Sequence, residues 1–306
     1  MFTRREFIAA AGLASVAQAR PKGVIVDTHI HLFAKDRKRF PLHANAPYDP
    51  PPQDLEDYKQ FVQASKLDHA VIVHPDPYQD DHRYLSHCLE NEPSPGFFKG
   101  TCLFDALDPD AGRKMKALVT RHGGRIVTAR VHAMDDRGAA PATGGAIKNR
   151  DLESDEMKRF WRSASKLGLA IQMHFRPHYA PQIAKLAEEF RDTIVVLDHL
   201  GRSGMGTADE YREILRLARF PGVYMKFSGV GYSSKQEHPY LDAKPVVQQA
   251  FDVFGPDRMI WGGVGYSVED MDRNAKMLDL LFDYASEEDR AKVRGLTAKR
   301  IFRFNG

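Results

Sequence analysis

The sequence predicts a single (β/α)₈ barrel, and three observations support this fold class. Eight short apolar or β-branched runs recur along the chain, helix-compatible stretches lie between them, and no linker rich in Pro, Gly and Ser divides it. Alternating strands and helices indicate a parallel sheet covered by helices. Eight such units in about 250 residues fit a closed barrel better than an open doubly wound sheet, which usually has fewer strands.

The predicted strands are short, and most end in polar residues. They are 23–33, 69–75, 98–105, 125–133, 168–175, 193–201, 222–229 and 258–266. Helices are predicted between them, where apolar residues recur at spacings of three and four. The clearest are 155–167, 181–190, 209–218 and 245–254. The proline-rich segment 41–52 follows the first strand, and two interpretations stay open for it, a lid over the site or a passive surface loop.

Composition excludes several classes of protein. The chain has 306 residues, of which 42% are hydrophobic and 28% charged, so intrinsic disorder is excluded. Its 44 Lys and Arg against 41 Asp and Glu leave a net charge of +3 with no long basic run, which predicts no nucleic-acid partner. Cys88 and Cys102 could pair in an oxidising compartment, but two buried free thiols are the favoured interpretation.

Residues 1–19 are predicted to be an export signal. The Arg4-Arg5 pair precedes the apolar run 9–16, which is too short to span a bilayer core of about 30 Å, and the small residues of 17–19 fit a cleavage site. The arginine pair resembles the twin-arginine signal. We therefore expect a barrel of residues 20–306, delivered by the twin-arginine export machinery to the periplasm or medium, with no membrane-spanning segment. A surface amphipathic start is the alternative.

Histidines lie at the ends of three predicted strands, where a barrel of this type carries its chemistry. His29 and His31 close the first strand, and residues two apart in a strand point to the same side. His174 ends the fifth strand and His199 lies at the end of the sixth. Neutral imidazoles suit a zinc-like ion, and three protein ligands leave a position for a reactive water. Coincidence among the 13 histidines is the competing explanation.

Around these histidines the sequence resembles the amidohydrolase superfamily, specifically its amidohydrolase-2 group of lactonases and other ester or lactone hydrolases. The resemblance covers most of the chain after residue 19. The residues that carry it are 26–33, His174, 197–201, 223–229 and 254–262. The resemblance implies a divalent metal, zinc by preference, bound by His29, His31 and His174. It implies that His199 either binds the metal or hydrogen-bonds the attacking water.

Two cations complete the implied site. Arg130 and Lys226, on strands four and seven, would face the pocket and bind a substrate carboxylate or a developing oxyanion. Four further polar residues near strand ends could either line the pocket or cap the adjoining loops, namely His74, Asp76, Asp105 and His132.

One position departs from the group. After Trp261-Gly262 the group places a Ser-Asp pair whose aspartate is both metal ligand and general base, whereas this chain has Val264 there. Valine can neither accept a proton nor coordinate a cation. Glu269 or Asp270 could replace it only if the following loop folds inward. Loss of one acid or base costs about 10²- to 10⁴-fold in rate, which lactones and activated esters tolerate better than amides.

The sequence thus predicts a metal-assisted hydrolase of a small, anionic ester or lactone, with His199 as the catalytic residue that orients or deprotonates water. Arg130 and Lys226 are the predicted substrate-binding residues. Three alternatives stay open. They are a metal-independent lactonase, a catalytically silent barrel that binds a sugar acid or a protein partner, and a metal-assisted decarboxylase or hydratase.

Overall fold

The computed structural model describes residues 23–140, 145–147, 151–263, 265 and 267–305. The predicted export signal, residues 1–19, and Val264 both lie outside the described residues. Export, the twin-arginine partner and the cellular location therefore stay predictions. Among the residues that are described, no helix combines the length and the apolar character needed to cross a bilayer.

The predicted (β/α)₈ barrel is confirmed. Its eight strands form one sheet in chain order, each parallel to the next. They are β1 (Val26–Ile30), β2 (His69–Val73), β3 (Phe98–Leu103), β4 (Ile126–Ala133), β5 (Ala170–Phe175), β6 (Val195–Leu197), β7 (Val223–Phe227) and β8 (Met259–Trp261). The first and last strands meet through side chains. Thr28 Oγ1 donates to the Trp261 carbonyl at 2.6 Å, and the Gly263 amide donates to Asp27 Oδ1 at 2.9 Å.

Helices cover the outside of the sheet. They are α1 (Leu55–Ala64), α2 (Arg83–Glu90), α3 (Ala111–His122), α4 (Asp155–Lys166), α5 (Ala180–Glu189), α6 (Ala208–Arg216), α7 (Lys244–Phe254), α8 (Val268–Leu281), α9 (Glu287–Ala291) and α10 (Thr297–Phe302). Local sequence fixes their starts. Ser154 accepts a hydrogen bond from the Met157 amide at the start of α4, and Thr207 and Glu210 form a reciprocal capping box at the start of α6.

The apolar core lies between the sheet and the helices, whereas the interior of the barrel is partly polar. Thr101, Thr128 and Gln172 lie inside it, and Thr128 Oγ1 donates to Thr101 Oγ1 at 2.6 Å. Cys88 and Cys102 are both buried, with free thiols. The segment 41–52 is a loop, and its Tyr48 lines the cavity described below, which favours the lid interpretation.

Candidate active site

A cavity of about 530 Å³ opens at the carboxyl ends of the strands. Its lining residues are His29, His31, Tyr48, Asp76, Arg130, His174, His199, Arg202, Gly229, Gly231, Tyr232 and Tyr240. The structure therefore brings all four predicted histidines and Arg130 to one cavity. Lys226 is not among the lining residues. Common location does not test the predicted roles, which depend on the contacts of each side chain.

The rings of His29, in β1, and His31, directly after β1, approach each other. Their Nε2 atoms lie 3.3 Å apart, and His31 Nδ1 donates to the Val73 carbonyl at 2.8 Å. The donated proton leaves His31 Nε2 with a free lone pair. Two nitrogens bound to one tetrahedral zinc at ordinary bond lengths would be about 3.3–3.4 Å apart. His29 and His31 are thus placed as two adjacent ligands would be. Burial, followed by the charge of Arg130, lowers the pKa of His31 to about 4, so the ring is neutral.

His174, the third predicted metal ligand, is hydrogen-bonded by an arginine. Arg202 Nη2 donates to His174 Nε2 at 2.5 Å, and the same guanidinium stacks on the Tyr232 ring at 3.8 Å from its centroid. This hydrogen bond uses the lone pair that a metal would need. The other nitrogen, His174 Nδ1, is buried and has no hydrogen-bond partner among the described residues.

The described residues contain two groups that could hold a metal ion. They are His29 with Asp198 and His199, and Asp76 with His132 and His174. Each group already has a cation on its carboxylate, because Lys226 lies 3.1 Å from Asp198 and Arg130 lies 3.3 Å from Asp76. The predicted set of His29, His31 and His174 does not fit a three-histidine centre in this arrangement, because Arg202 binds His174.

A left-handed turn places His199 and Arg202 over the cavity. The φ angles of His199, Leu200, Gly201 and Arg202 are +57°, +52°, +64° and +52°. Such a run is costly for residues with a side chain and is typical of functional sites. A Cβ on Gly201 would lie 2.7 Å from Ile214 Cδ1, so glycine is needed there. The turn carries the chain back across the strand end, which is why Arg202 reaches His174.

His199 is a neutral, oriented imidazole. Its Nδ1 hydrogen-bonds Ser228 Oγ at 2.9 Å. Burial lowers its pKa to about 3, and the nearby guanidinium of Arg202 adds to the shift although Asp198 opposes it. A neutral ring can orient a water molecule, whereas an imidazolium could only donate to it.

Lys226 is paired in the barrel interior, and its predicted role in substrate binding stays a prediction. The side chain is buried, with its Nζ 3.1 Å from Asp198 Oδ1 and donating to the Thr28 carbonyl at 3.1 Å. Asp198 also accepts from Gln172 Nε2 at 2.9 Å and from Arg130 Nη2 at 3.4 Å. A buried carboxylate requires such partners. Lys226 therefore pairs with Asp198 in the barrel interior and is not among the residues that line the cavity.

Comparison with known proteins agrees with this architecture. The amidohydrolase family (Amidohydro_2) matches residues 26–304. The chain belongs to the amidohydrolase family. Among its relatives, a 4-sulfomuconolactone hydrolase of Hydrogenophaga intermedia is 25% identical over 291 residues, 90% of this chain and 88% of the relative.

Solved structures show the same fold. A putative 2-pyrone-4,6-dicarboxylic acid hydrolase from Pseudomonas putida has a TM-score of 0.73 at 20% identity, covering 92% of this chain and 98% of the other. An amidohydrolase from Burkholderia multivorans with bound zinc has a TM-score of 0.67 at 16% identity, covering 92% of this chain and all of the other.

In this amidohydrolase, three functional candidates were incompletely predicted. Arg202 was not predicted as a site residue, and its only sequence signal is the glycine-rich segment 201–206 that could bend around a ligand. Asp76 and His132 were left between lining the pocket and capping a loop. Asp76 lines the cavity, and His132 Nε2 lies 3.2 Å from its Oδ1.

Proposed function

We propose that the protein hydrolyses a small lactone that carries a carboxylate or a similar anionic group. The observation that carries the proposal is the cavity, in which two guanidinium groups, Arg130 and Arg202, lie beside neutral imidazoles. Membership of the amidohydrolase family and the similarity to a 4-sulfomuconolactone hydrolase support it.

Arg202 is the proposed anchor for the anionic group. After its bond to His174 the guanidinium keeps several N–H donors, and its Nε is buried with no hydrogen-bond partner in the part of the chain that the structure describes. Arginine binds carboxylates through two parallel hydrogen bonds, which fixes the orientation of the ligand as well as its position. Tyr232 holds the guanidinium plane from one side. Tyr48 and Tyr240 add further ring surface to the cavity, which suits a planar substrate.

The proposed reaction is attack of water on the lactone carbonyl, followed by cleavage of the ring C–O bond. His199 orients the water as a neutral imidazole held by Ser228. Arg130 supplies positive charge for the oxyanion that develops on the carbonyl oxygen. Because the three predicted ligands do not fit a metal centre here, we propose the metal-independent version. The zinc prediction at His29, His31 and His174 is tested separately below.

The location of the enzyme is a further part of the proposal. The arginine pair and the short apolar run of residues 1–19 support export by the twin-arginine machinery, so we expect activity in the periplasm or medium. Cell fractionation of the full chain tests this. Replacing Arg4 and Arg5 by lysine should retain the protein in the cytoplasm.

Ring opening of a lactone panel tests the proposed activity. The panel contains a pyrone dicarboxylate, a muconolactone and a sugar lactone, each beside its neutral methyl ester or unsubstituted counterpart. We expect hydrolysis of the planar anionic lactones, with kcat/KM about 10- to 100-fold above the neutral counterparts because one charged hydrogen-bonded contact is lost. Absence of ring opening across the whole panel would refute the proposal.

The catalytically silent alternative gives a different result. A silent barrel would bind the anionic lactone in calorimetry without opening it. Val264→Asp distinguishes the two, because activity that appears only in this variant would identify the natural protein as a binder. Activity in both forms supports the enzyme.

A further inference from the structure

Asp76 lines the cavity and supplies a carboxylate to it. Among the described residues that line it, no other side chain is Asp or Glu. Asp76 follows β2, and β2 pairs with β1, which leads to His29 and His31. The sequence places Val264 after β8, the strand that meets β1 on its other side. The two histidines therefore have a carboxylate beside them on the β2 flank, whereas the family resemblance led us to expect one on the β8 flank.

The local backbone holds Asp76 in place. Asp76 begins a single 3₁₀ turn, Asp76–Tyr78, and is flanked directly by Pro75 and Pro77. Proline fixes its own backbone torsion and restricts the residue before it, so the loop has little freedom to withdraw the carboxylate.

Two side chains of β4 fix the carboxylate from the other side. Arg130 and His132 are two residues apart, so they share the inward face of the strand. His132 Nε2 lies 3.2 Å from Asp76 Oδ1 and 3.3 Å from its Oδ2, and Arg130 Nη1 donates to Oδ1 at 3.3 Å. Burial raises the pKa of Asp76, but His132 and Arg130 outweigh this and hold it well below its usual value. The group is therefore a carboxylate whenever substrate arrives.

We propose that Asp76 accepts the proton of the attacking water and that His132 is the residue that positions it. The inference rests on the proposed lactone hydrolysis. The water oxygen bonds to the carbonyl carbon as its proton passes to Asp76. The ring C–O bond then breaks, and the ring oxygen takes the proton back from Asp76. Lactone and water thus give one hydroxy acid, and the carboxylate is regenerated.

The hydrogen-bonding partners of Asp76 limit which lactones this base can serve. A carboxylate stabilised by Arg130 and His132 is a weak base, and the efficiency of general-base catalysis rises with basicity. The arrangement therefore suits lactones with a good leaving oxygen, such as those whose ring opening releases an enolate. Simple alkyl lactones should react more slowly at the same site.

A purely structural role for Asp76 predicts a different kinetic result. If Asp76 only oriented Arg130, its loss would weaken the oxyanion stabilisation proposed for Arg130, and kcat would fall whether or not an external base was present. Loss of the proton acceptor also lowers kcat, but an added base should then restore turnover in proportion to its basicity.

Steady-state kinetics of Asp76→Asn measures the loss, and chemical rescue separates the two roles. We expect kcat on the best lactone to fall by about 10²-fold or more with little change in KM. Asp80→Asn, in the same loop but outside the cavity lining, is the matched control and should leave both constants unchanged. His132→Gln should lower kcat in the natural protein but have no further effect in Asp76→Asn, as two residues acting as one unit require.

Chemical rescue gives a readout that a structural role would not produce. Asp76→Ala leaves space for a small carboxylate, and we expect added acetate to restore more turnover than fluoroacetate of similar size, because it is the stronger base. Rescue without dependence on basicity, or kcat of Asp76→Asn within about threefold of the natural protein, would overturn the inference and leave the proposed function standing. An inactive natural protein would overturn both.

Discussion

Two layers of charged groups in the barrel differ in how completely their polar atoms are paired. In the interior layer, Asp198 is bound by Lys226, Gln172 and Arg130. In the cavity layer, His29 Nδ1, His174 Nδ1 and Arg202 Nε are buried without hydrogen-bond partners among the described residues. Arg130 belongs to both layers, because its two terminal nitrogens reach Asp198 and Asp76.

This difference in pairing distinguishes the groups that stabilise the barrel from the groups that are free to contact a substrate. Buried polar atoms in native proteins are nearly always paired, so a concentration of unpaired ones marks a place where a ligand or substrate completes the pairing. The side chains of the interior layer are held in position before substrate binds, and they hold the guanidinium of Arg130 in one orientation. Fixed donors stabilise developing charge better than donors that must reorganise. Substitutions in the two layers should therefore affect different quantities.

The largest expected effect is on stability and comes from the interior layer. Asp198→Asn removes the negative charge and leaves Lys226 and Arg130 buried without it, which should lower the free energy of unfolding by about 3–5 kcal/mol. Urea unfolding followed by circular dichroism measures this. Adding Lys226→Met to the same chain should recover part of the loss, since it removes one of the two uncompensated charges. A change below about 1 kcal/mol would contradict the interior role of Asp198.

The sequence was sufficient to predict the barrel and the strand ends at which the candidate site lies. Eight repeated units predicted the barrel, and the rule that chemistry lies at strand ends selected His29, His31, His174 and His199. All four line the cavity. The barrel and the common location of these histidines were predictable because both depend on periodicity and on strand direction, which are local properties of the chain.

Contacts between distant elements were not predictable in the same way. Lys226 was expected in the pocket because of the family resemblance, which does not show that Lys226 pairs with Asp198 on another segment. Arg202 reaches the cavity only because four consecutive residues adopt left-handed angles. Asp76 could be assigned only once β2 and β4 were known to bring it against His132.

A second effect concerns pH and a histidine behind the cavity wall. His82 is buried, and its Nε2 accepts from the Leu103 amide at 3.0 Å, which requires a neutral ring. Burial lowers its pKa to about 4 from an ordinary 6.5. Above pH 6.5 the His82 ring is neutral in both the folded and the unfolded chain. Between pH 6.5 and about 4 the ring gains a proton mainly in the unfolded chain. The free energy of unfolding should therefore fall as pH drops from 6.5 towards 4, by about 3 kcal/mol from this residue.

Urea unfolding at several pH values isolates this contribution. His82→Gln keeps an acceptor for the Leu103 amide and removes the titration, so its stability should depend less on pH over this range. His178→Gln is the control, because that ring is partly exposed and should change the slope less. Equal pH slopes for the natural protein and His82→Gln would show that His82 is not held neutral.

A third, smaller effect comes from the cavity layer and should appear in binding. Arg202→Met removes the proposed anchor but keeps an apolar side chain against Tyr232, so KM for an anionic lactone should rise by about 10- to 100-fold. Stability should change little by comparison with Asp198→Asn. Arg202→Lys should recover only part of the affinity, because an ammonium cannot form two parallel hydrogen bonds to one carboxylate. An unchanged KM in Arg202→Met would place the anionic group elsewhere.

The smallest effect should follow chelation. Arg202 already donates to His174 Nε2, so the three predicted ligands do not present a ready centre, and exhaustive treatment with a chelator should leave turnover unchanged. Elemental analysis of the same samples must accompany the assay, because a tightly held ion would survive mild chelation.

Arg202→Met sharpens the chelation experiment, since it frees the third imidazole. This variant should gain affinity for zinc relative to the natural protein, measured by equilibrium dialysis, if the guanidinium rather than the histidine geometry excludes the ion. His174→Gln in the same background should remove the gained affinity. Loss of turnover on chelation of the natural protein, reversed by zinc, would instead show that Arg202 moves aside and that His29, His31 and His174 bind the metal as the sequence predicted.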